Sequence, residues 1–349
     1  MIYFEDNTIS FKAQKNTHKK KKFNADDKIR ENEIIDQCNL NSDALSTENN
    51  GQKSNPDNQE FDLCSFYTKN LSEKVLKKYG TYYLQSFFQK NSDILPENFM
   101  KNHKISSYMR SKMVNWMLEI FCAFQSSEET FLNAVEIMDK FFYYYKKRTL
   151  TDDNVQLIGM ASLFIASKTY DLVPIRLEHI IHQIGHDKFT KKKILKMERS
   201  IMKAINFDVF SVSGIELMRF FLYDFYINNK KKFQELKAEK QLDILTNCSI
   251  WTYKLCKHYE EYSSVRPAIL CMACLMTGYD FMRLNCDIFY GKIKDFFKDW
   301  LNFLYGGIGK KKEVRDKIQS VYKKITNTYH EHRKSNLRNL MIYHELFFD

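Results

Sequence analysis

Two runs of this chain, 154–167 and 267–279, contain no charged residue. From Val155 to Ala166 the first is apolar nearly all round, and a helix of that kind has to be covered on every side in the middle of a bundle. Thr151, Asp152 and Asp153 stand just before it as N-cap candidates. The second run has the same character. Both are shorter than the ~18–20 apolar residues a membrane span requires. Glycine and proline punctuate turns, and a chain of 349 residues with average usage would hold roughly 24 and 17 of them. This one has 10 and 4. Long helices joined by few tight connections are therefore expected, and a Gly-rich sandwich or propeller is excluded.

Helical periodicity runs through the rest of the chain from Phe61 onward. Met109, Met113, Trp116 and Ile120 recur at steps of four, three and four; Phe131, Val135, Met138 and Phe142 do likewise, as do Ile194, Met197, Ile201 and Ile205. Shifting the first uncharged run by 112 residues aligns Met160-Ala161 with Met272-Ala273 and Leu163 with Leu275. Together with their shared buried character, these identities suggest two repeats of one helical module.

Residues 1–60 differ in kind. They are rich in Asn, Asp, Gln, Ser and Lys, cannot bury enough apolar surface to offset ordering entropy, and are expected to be disordered. They hold 9 Lys and Arg against 11 Asp and Glu, leaving the remaining residues with 45 against 32, a net +13. The basic excess thus belongs to the folded part, where it favours acidic partners, nucleic acid or protein. Lys19-Lys20-Lys21-Lys22 reads equally as a nuclear import signal or a solvated lysine run. The opening Met1-Ile2-Tyr3-Phe4-Glu5-Asp6 is not a basic-then-apolar leader. The expectation is a soluble intracellular protein, nuclear or cytoplasmic, with its eight cysteines reduced and mostly buried.

Candidate chemistry is sparse. Cys271-Met272-Ala273-Cys274 lies inside an apolar helix without a second pair in ligand spacing, so core packing is expected rather than a metal. Tyr305-Gly306-Gly307-Ile308-Gly309-Lys310-Lys311 lacks the first glycine of a phosphate loop, Leu304 standing there, and Lys311 replaces the required Ser or Thr. His258-Tyr259-Glu260-Glu261 and His179 to His186 supply titratable groups but no acid, base and nucleophile together. No enzyme, cofactor or metal is expected.

The informative residues lie in 109–208. Arg110 and Asp139 have the character of a buried pair fixing helix packing. Lys168 ends the buried helix, where a cation suits the helix's negative end, and Glu198 lies within reach of it. Around them stand Met109-Arg110-Ser111-Lys112-Met113-Val114-Asn115-Trp116, Ile137-Met138-Asp139-Lys140, Val155-Gln156-Leu157-Ile158-Gly159 and Thr190-Lys191-Lys192 through Met197-Glu198.

These residues, at this spacing, resemble the cyclin box. The family's five most characteristic positions, an Arg, an Asp, a Leu, a Lys and a Glu, are matched by Arg110, Asp139, Leu157, Lys168 and Glu198. The likeness is strong over about 105–208 and weaker over 209–325. It implies an all-α fold of two tandem five-helix modules, 91–208 and 209–325. A tail (1–60) and a leading helix with linker (61–90) would precede them, and a C-terminal tail (326–349) would follow. It also implies a non-catalytic protein that binds a cyclin-dependent protein kinase and swings the kinase's regulatory helix inward, aligning its Glu with the ATP-holding Lys. Lys168 and Glu198, with Thr169, Tyr170 and Asp171, would be the kinase-binding residues.

Two departures qualify the likeness. The family usually follows the Lys with an aromatic and two acids, whereas here Thr169, Tyr170 and Asp171 follow. The family's shallow substrate patch for Arg-x-Leu segments maps to Met109, Lys112, Met113, Trp116, Glu119 and Gln156; Lys112 would repel the incoming Arg, and Met109, Met113 and Trp116 read equally as core. The Met-Arg opening and the Thr190-Lys191-Lys192 stretch look like mitotic A and B types, whereas Trp116-Met117-Leu118-Glu119 looks more like the G1 type. The Arg-x-x-Leu destruction signal of mitotic tails is not matched, since Glu33 stands where Arg30 would need a Leu. Two rivals remain. One is a nucleic-acid-bound transcription factor built from a related pair of modules, which the basic charge favours. The other is a helical scaffold without kinase activation.

Overall fold

The computed structural model describes residues 94–210, 214–285, 289–308 and 312–334, and every regular element among them is helical. The expected tail and leading helix, the Lys19–Lys22 cluster, Arg30, Glu33 and residues 335–349 lie outside the described residues. Four long helices come first: α1 (Ser107–Ala123), α2 (Glu128–Tyr144), α3 (Asp152–Tyr170) and α4 (Lys191–Ala204). A short turn of helix, Leu177–His179, runs into a wider π turn, Ile180–Ile184, between α3 and α4. Five more follow: α5 (Gly214–Asn228), α6 (Glu239–Lys257), α7 (Pro267–Asn285), α8 (Gly291–Ile308) and α9 (Lys312–Lys334). Among the described residues the architecture is two helical bundles in tandem within one compact unit.

Local chemistry sets the starts of the first bundle's helices. Ser106, Ser127 and Thr190 cap α1, α2 and α4 by accepting the backbone N–H of Met109, Thr130 and Lys193. At α3 the cap is reciprocal, since the Thr151 N–H donates to Asn154 Oδ1 at 3.1 Å while the Thr151 side chain takes the N3 backbone N–H. Asp152 then ties α3 to the start of α1 by accepting the Ser106 N–H at 3.0 Å.

The two uncharged helices take the positions their composition requires. α3 packs against α1, α2 and α4, and Val155 and every residue from Ile158 to Ser167 are buried. α7 packs against α5, α6, α8 and α9, with the run from Ala268 to Leu275 buried. Cys271 and Cys274 belong to that interior, and burial drives both thiols far above the ordinary range, so they behave as small apolar side chains.

α6 and α7 approach closely at Gly278. A Cβ built there would lie 2.4 Å from Ser249 Oγ and 3.0 Å from its backbone nitrogen. Backbone cannot yield as a side-chain tip can, so Gly278→Ala should destabilise the unit by about 1–3 kcal/mol. Thermal unfolding checks this; an unchanged midpoint would mean that the two helices are free to part.

One expected boundary moves. α9 continues past residue 325, and Ile318, Val321, Ile325 and Tyr329 face inward at steps of three and four. The Tyr262 hydroxyl lies 2.7 Å from that of Thr328, and Tyr329 packs on Trp251 and Phe281. The stretch expected as a tail from 326 therefore begins as part of the core. Its polar surroundings disguise the apolar stripe.

Candidate functional site

Arg110, on α1, has no exposed surface. Its Nε and Nη2 donate to the two oxygens of Asp139 at 2.8 and 2.6 Å, a bidentate pair between α1 and α2. Its Nη1 reaches across to the second bundle and donates to the carbonyls of Lys257 and His258, both at 3.1 Å. These are unsatisfied carbonyls at the C-terminal end of α6, where a cation is favoured. Ser111 Oγ donates to the same His258 carbonyl at 2.5 Å, and Ser263 Oγ donates to Asp139 at 3.0 Å. The pair expected to fix helix packing also reaches the end of α6.

A row of acids on α2 continues the joint. Glu128 receives Lys254 at 2.5 Å and Arg219 at 2.5 Å, Glu129 also pairs with Arg219, and Glu136 receives Lys257 at 2.8 Å. Arg219, Lys254 and Lys257 are all buried. Sequence reasoning missed this layer because charges at helical spacing ordinarily mark a solvated face. One signal was available: Met218-Arg219 opens the second bundle as Met109-Arg110 opens the first.

Burial opposes ionisation in this layer and the partners overcome it. Desolvation alone would raise the Glu128 carboxyl, yet Lys254 and Arg219 hold it below its ordinary 4.5. Burial would likewise lower Lys257, and Glu136 outweighs it, leaving the ammonium above the usual lysine range. A carboxyl depressed by folding stabilises fully above about pH 4.5, and that contribution disappears as pH falls through the folded value. Urea unfolding from about pH 6 to pH 3 should therefore show a steep loss of stability that is shallower in Glu128→Gln. Equal slopes would remove Glu128 from the account.

Lys168, in the last turn of α3, pairs with Glu198 of α4; the lysine is exposed and the glutamate mostly covered. Its ammonium also lies 4.0 Å from the centre of the Phe164 ring, which limits its swing. Leu157 is partly buried against the core. The three residues after Lys168 diverge. Thr169 donates its hydroxyl to the Ile165 carbonyl at 2.9 Å. Tyr170 turns its ring edge toward Phe210, centroids 6.2 Å apart. Asp171 folds back to the start of α2, where its Oδ1 accepts the Ser127 N–H at 3.1 Å and the Thr130 hydroxyl at 2.5 Å. The expected outward role of Asp171 meets a carboxylate already engaged in holding α2.

Beyond this pair lies exposed apolar surface. Leu172 and Val173 follow α3, and Phe207 and Phe210 follow α4, all four largely in solvent. Phe207 is held at φ 58°, a left-handed conformation costly for a bulky residue. The next residue, Asp208, is anchored at 3.1 Å by Lys140 of α2.

The six positions mapped to a substrate patch differ in their exposure. Met113 is fully buried, because its thioether packs on Gly159 of α3 where a Cβ would collide with it. Met109 and Trp116 are only partly exposed, and Trp116 packs on the core. The Lys112 ammonium lies 4.8 Å from the centre of the Tyr108 ring, and Gln156 accepts the Lys188 ammonium at 2.6 Å. Glu119 accepts from Asn115 at 3.3 Å, and burial raises its carboxyl.

Residues 83–210 match the family described as cyclin, N-terminal domain. The G2/mitotic-specific cyclin-A of Patella vulgata is 32% identical over 114 residues, covering 33% of this chain and 26% of that protein. The cyclin-B2-1 of Oryza sativa subsp. japonica is 24% identical over 202 residues, covering 56% and 43%. A solved viral cyclin from herpesvirus saimiri aligns with TM-score 0.46 at 18% identity, over 72% of this chain and 97% of that one. The stretch from 83 to 210 is thus similar to the N-terminal domain of cyclins. The relatives include A-type and B-type cyclins, and the matched part spans less than half the length of each.

Proposed function

We propose that this chain is a cyclin: a non-catalytic regulatory subunit that binds a cyclin-dependent protein kinase and activates it in cell-cycle control, in the nucleus, the cytoplasm or both. The observation that carries the reading is the Lys168–Glu198 pair between α3 and α4, the two helices that run on into the exposed Leu172, Val173, Phe207 and Phe210. An apolar patch of this kind, rimmed by fixed polar groups, marks a protein interface. Lys168 offers a donor and Glu198 an acceptor, so together they suit the exposed backbone and loop groups of a helix that has to be drawn inward. The helices carrying them are held by α2 through α3 packing and the Lys140–Asp208 contact, which gives the face a rigid base. The names of the relatives support a mitotic kind of cyclin. The α1 surface adds little to the reading, since Met113 is unavailable and Lys112 supplies a cation there.

The test mixes the purified full chain with a monomeric mitotic-type cyclin-dependent kinase and follows phosphorylation of a histone-like peptide. The expected result is binding with a large rise in kinase activity. No binding and no activation across a panel of such kinases would overturn it, leaving a cyclin-fold scaffold or a nucleic-acid binder. The latter would show a steep salt dependence on DNA.

A further inference from the structure

We infer that the outer face of α4 docks the phosphate backbone of duplex DNA, without regard to base sequence. The inference concerns a different face from the Lys168–Glu198 pair and does not rest on the kinase-binding reading. Lys192, Lys196, Arg199 and Lys203 recur along α4 at steps of four, three and four, and all four are exposed. That spacing sets them in one row about 16 Å long, on the side away from the buried Ile194 and Ile201. Lys191 and Lys193 are exposed beside its start, and the first turn of α4 holds no acid. Three lysines in that turn oppose the positive end of the helix dipole, so the stability of the helix does not account for them.

The acids nearest in the chain leave the row positive. From 187 to 208 seven lysines and arginines stand against three acids, and each acid is engaged elsewhere. Asp187, ahead of the helix, meets His182 Nδ1 at 2.6 Å; Glu198 pairs with Lys168, and Asp208 with Lys140 at 3.1 Å. Among the described residues no carboxylate pairs with Lys192, Lys196, Arg199 or Lys203; Arg199 donates its Nε to the Leu195 carbonyl at 3.3 Å. A row of one sign with no apolar or aromatic member suits a polyphosphate, whose backbone is held by cations alone. An acidic polypeptide needs apolar anchors at the middle of its contact, and a single strand needs aromatic platforms for its bases. The row has neither. Its side chains are donors only, with no acceptor to read a 2′-hydroxyl, which favours duplex DNA over duplex RNA. Glu198 stands roughly 130° round the helix from the row, so a kinase docked on that residue leaves the row open.

The experiment titrates the full-length chain into short labelled DNA duplexes of unrelated sequence over a range of salt, with and without a monomeric cyclin-dependent kinase. With four phosphates contacted, the affinity should fall roughly a hundredfold between about 50 and 200 mM salt, alike for every sequence. The double variant Lys196→Ala with Arg199→Ala should bind at least tenfold more weakly at low salt, with a log–log salt slope shallower by about two. Its unfolding midpoint should not move, both side chains being exposed. Lys230→Ala with Lys231→Ala removes the same charge from the exposed segment between α5 and α6, and should leave the slope as it is. Equal losses in the two double variants would reduce the binding to net charge and overturn the α4 face. So would no DNA binding at all, displacement of the DNA by the kinase, tighter binding of duplex RNA, or polyglutamate competing as well as DNA at equal charge. A chain that shows this DNA signature but activates no kinase loses the proposed function and keeps the α4 face; the reverse result removes the α4 face alone.

Discussion

Arg110→Ala should lower the stability of the folded unit by about 3–5 kcal/mol, the cost typical of breaking a buried ion pair. The substitution leaves Asp139 buried without its guanidinium and frees the carbonyls of Lys257 and His258 at the end of α6. In a unit of this size each kcal/mol moves the unfolding midpoint by roughly 2–4 °C, so the loss is visible in a simple melt. Arg110→Met combined with Asp139→Leu should recover much of it, because removing both charges avoids the unpaired carboxylate. The recovery should stop short of wild type, since methionine offers nothing to the α6 carbonyls. A single variant that loses under about 1 kcal/mol would show that the cavity admits water to replace the guanidinium.

Lys168→Glu should reduce kinase activation at least a hundredfold while leaving stability nearly unchanged. The Lys168 side chain is 40% exposed, and ion pairs at the surface contribute only about 0–1 kcal/mol to folding. Reversing the charge places two carboxylates side by side and removes the donor at the end of α3. The discriminating variant is the swap, Lys168→Glu with Glu198→Lys. It rebuilds the salt bridge with its ends exchanged, so activation should stay lost if a kinase reads each end separately. Activation restored by the swap would reduce the pair to a brace between α3 and α4. Peptide phosphorylation measures activation, and a melt confirms that the variants are folded.

The sequence carries the central helices openly because a helix without charge has no solvated face. The starts of the helices are equally local: Ser106, Ser127, Thr151 and Thr190 act within their own first turn. Arg110 and Asp139 were recognisable as a pair, but not the other half of the joint, which comes from carbonyls some 147 and 148 positions away. Lys254 and Lys257 look like any surface lysines until α2 brings Glu128 and Glu136 against them. Periodicity left Met113, in its apolar stripe, open between core and surface patch. The stripe's inner edge is set by where Gly159 lets α1 approach, and that is a property of two helices. Asp171 follows the same rule. Its neighbours in sequence suggest an outward acid, whereas the α2 N-terminus, with its free N–H groups, holds the carboxylate inward.

The joint around Arg110 also bears on how the chain comes off the ribosome. The first bundle, with its α2 acids and the Arg110 guanidinium, is complete in sequence by residue 210, yet the groups that satisfy them end at His258. From Asp139 onward roughly 120 residues have to be added, which at ~5–20 residues per second is on the order of ten seconds. Through that interval Glu128, Glu129 and Glu136 stay hydrated and Arg110 holds Asp139 alone. Until Arg219, Lys254 and Lys257 emerge, the three carboxylates form an acidic flank that attracts them.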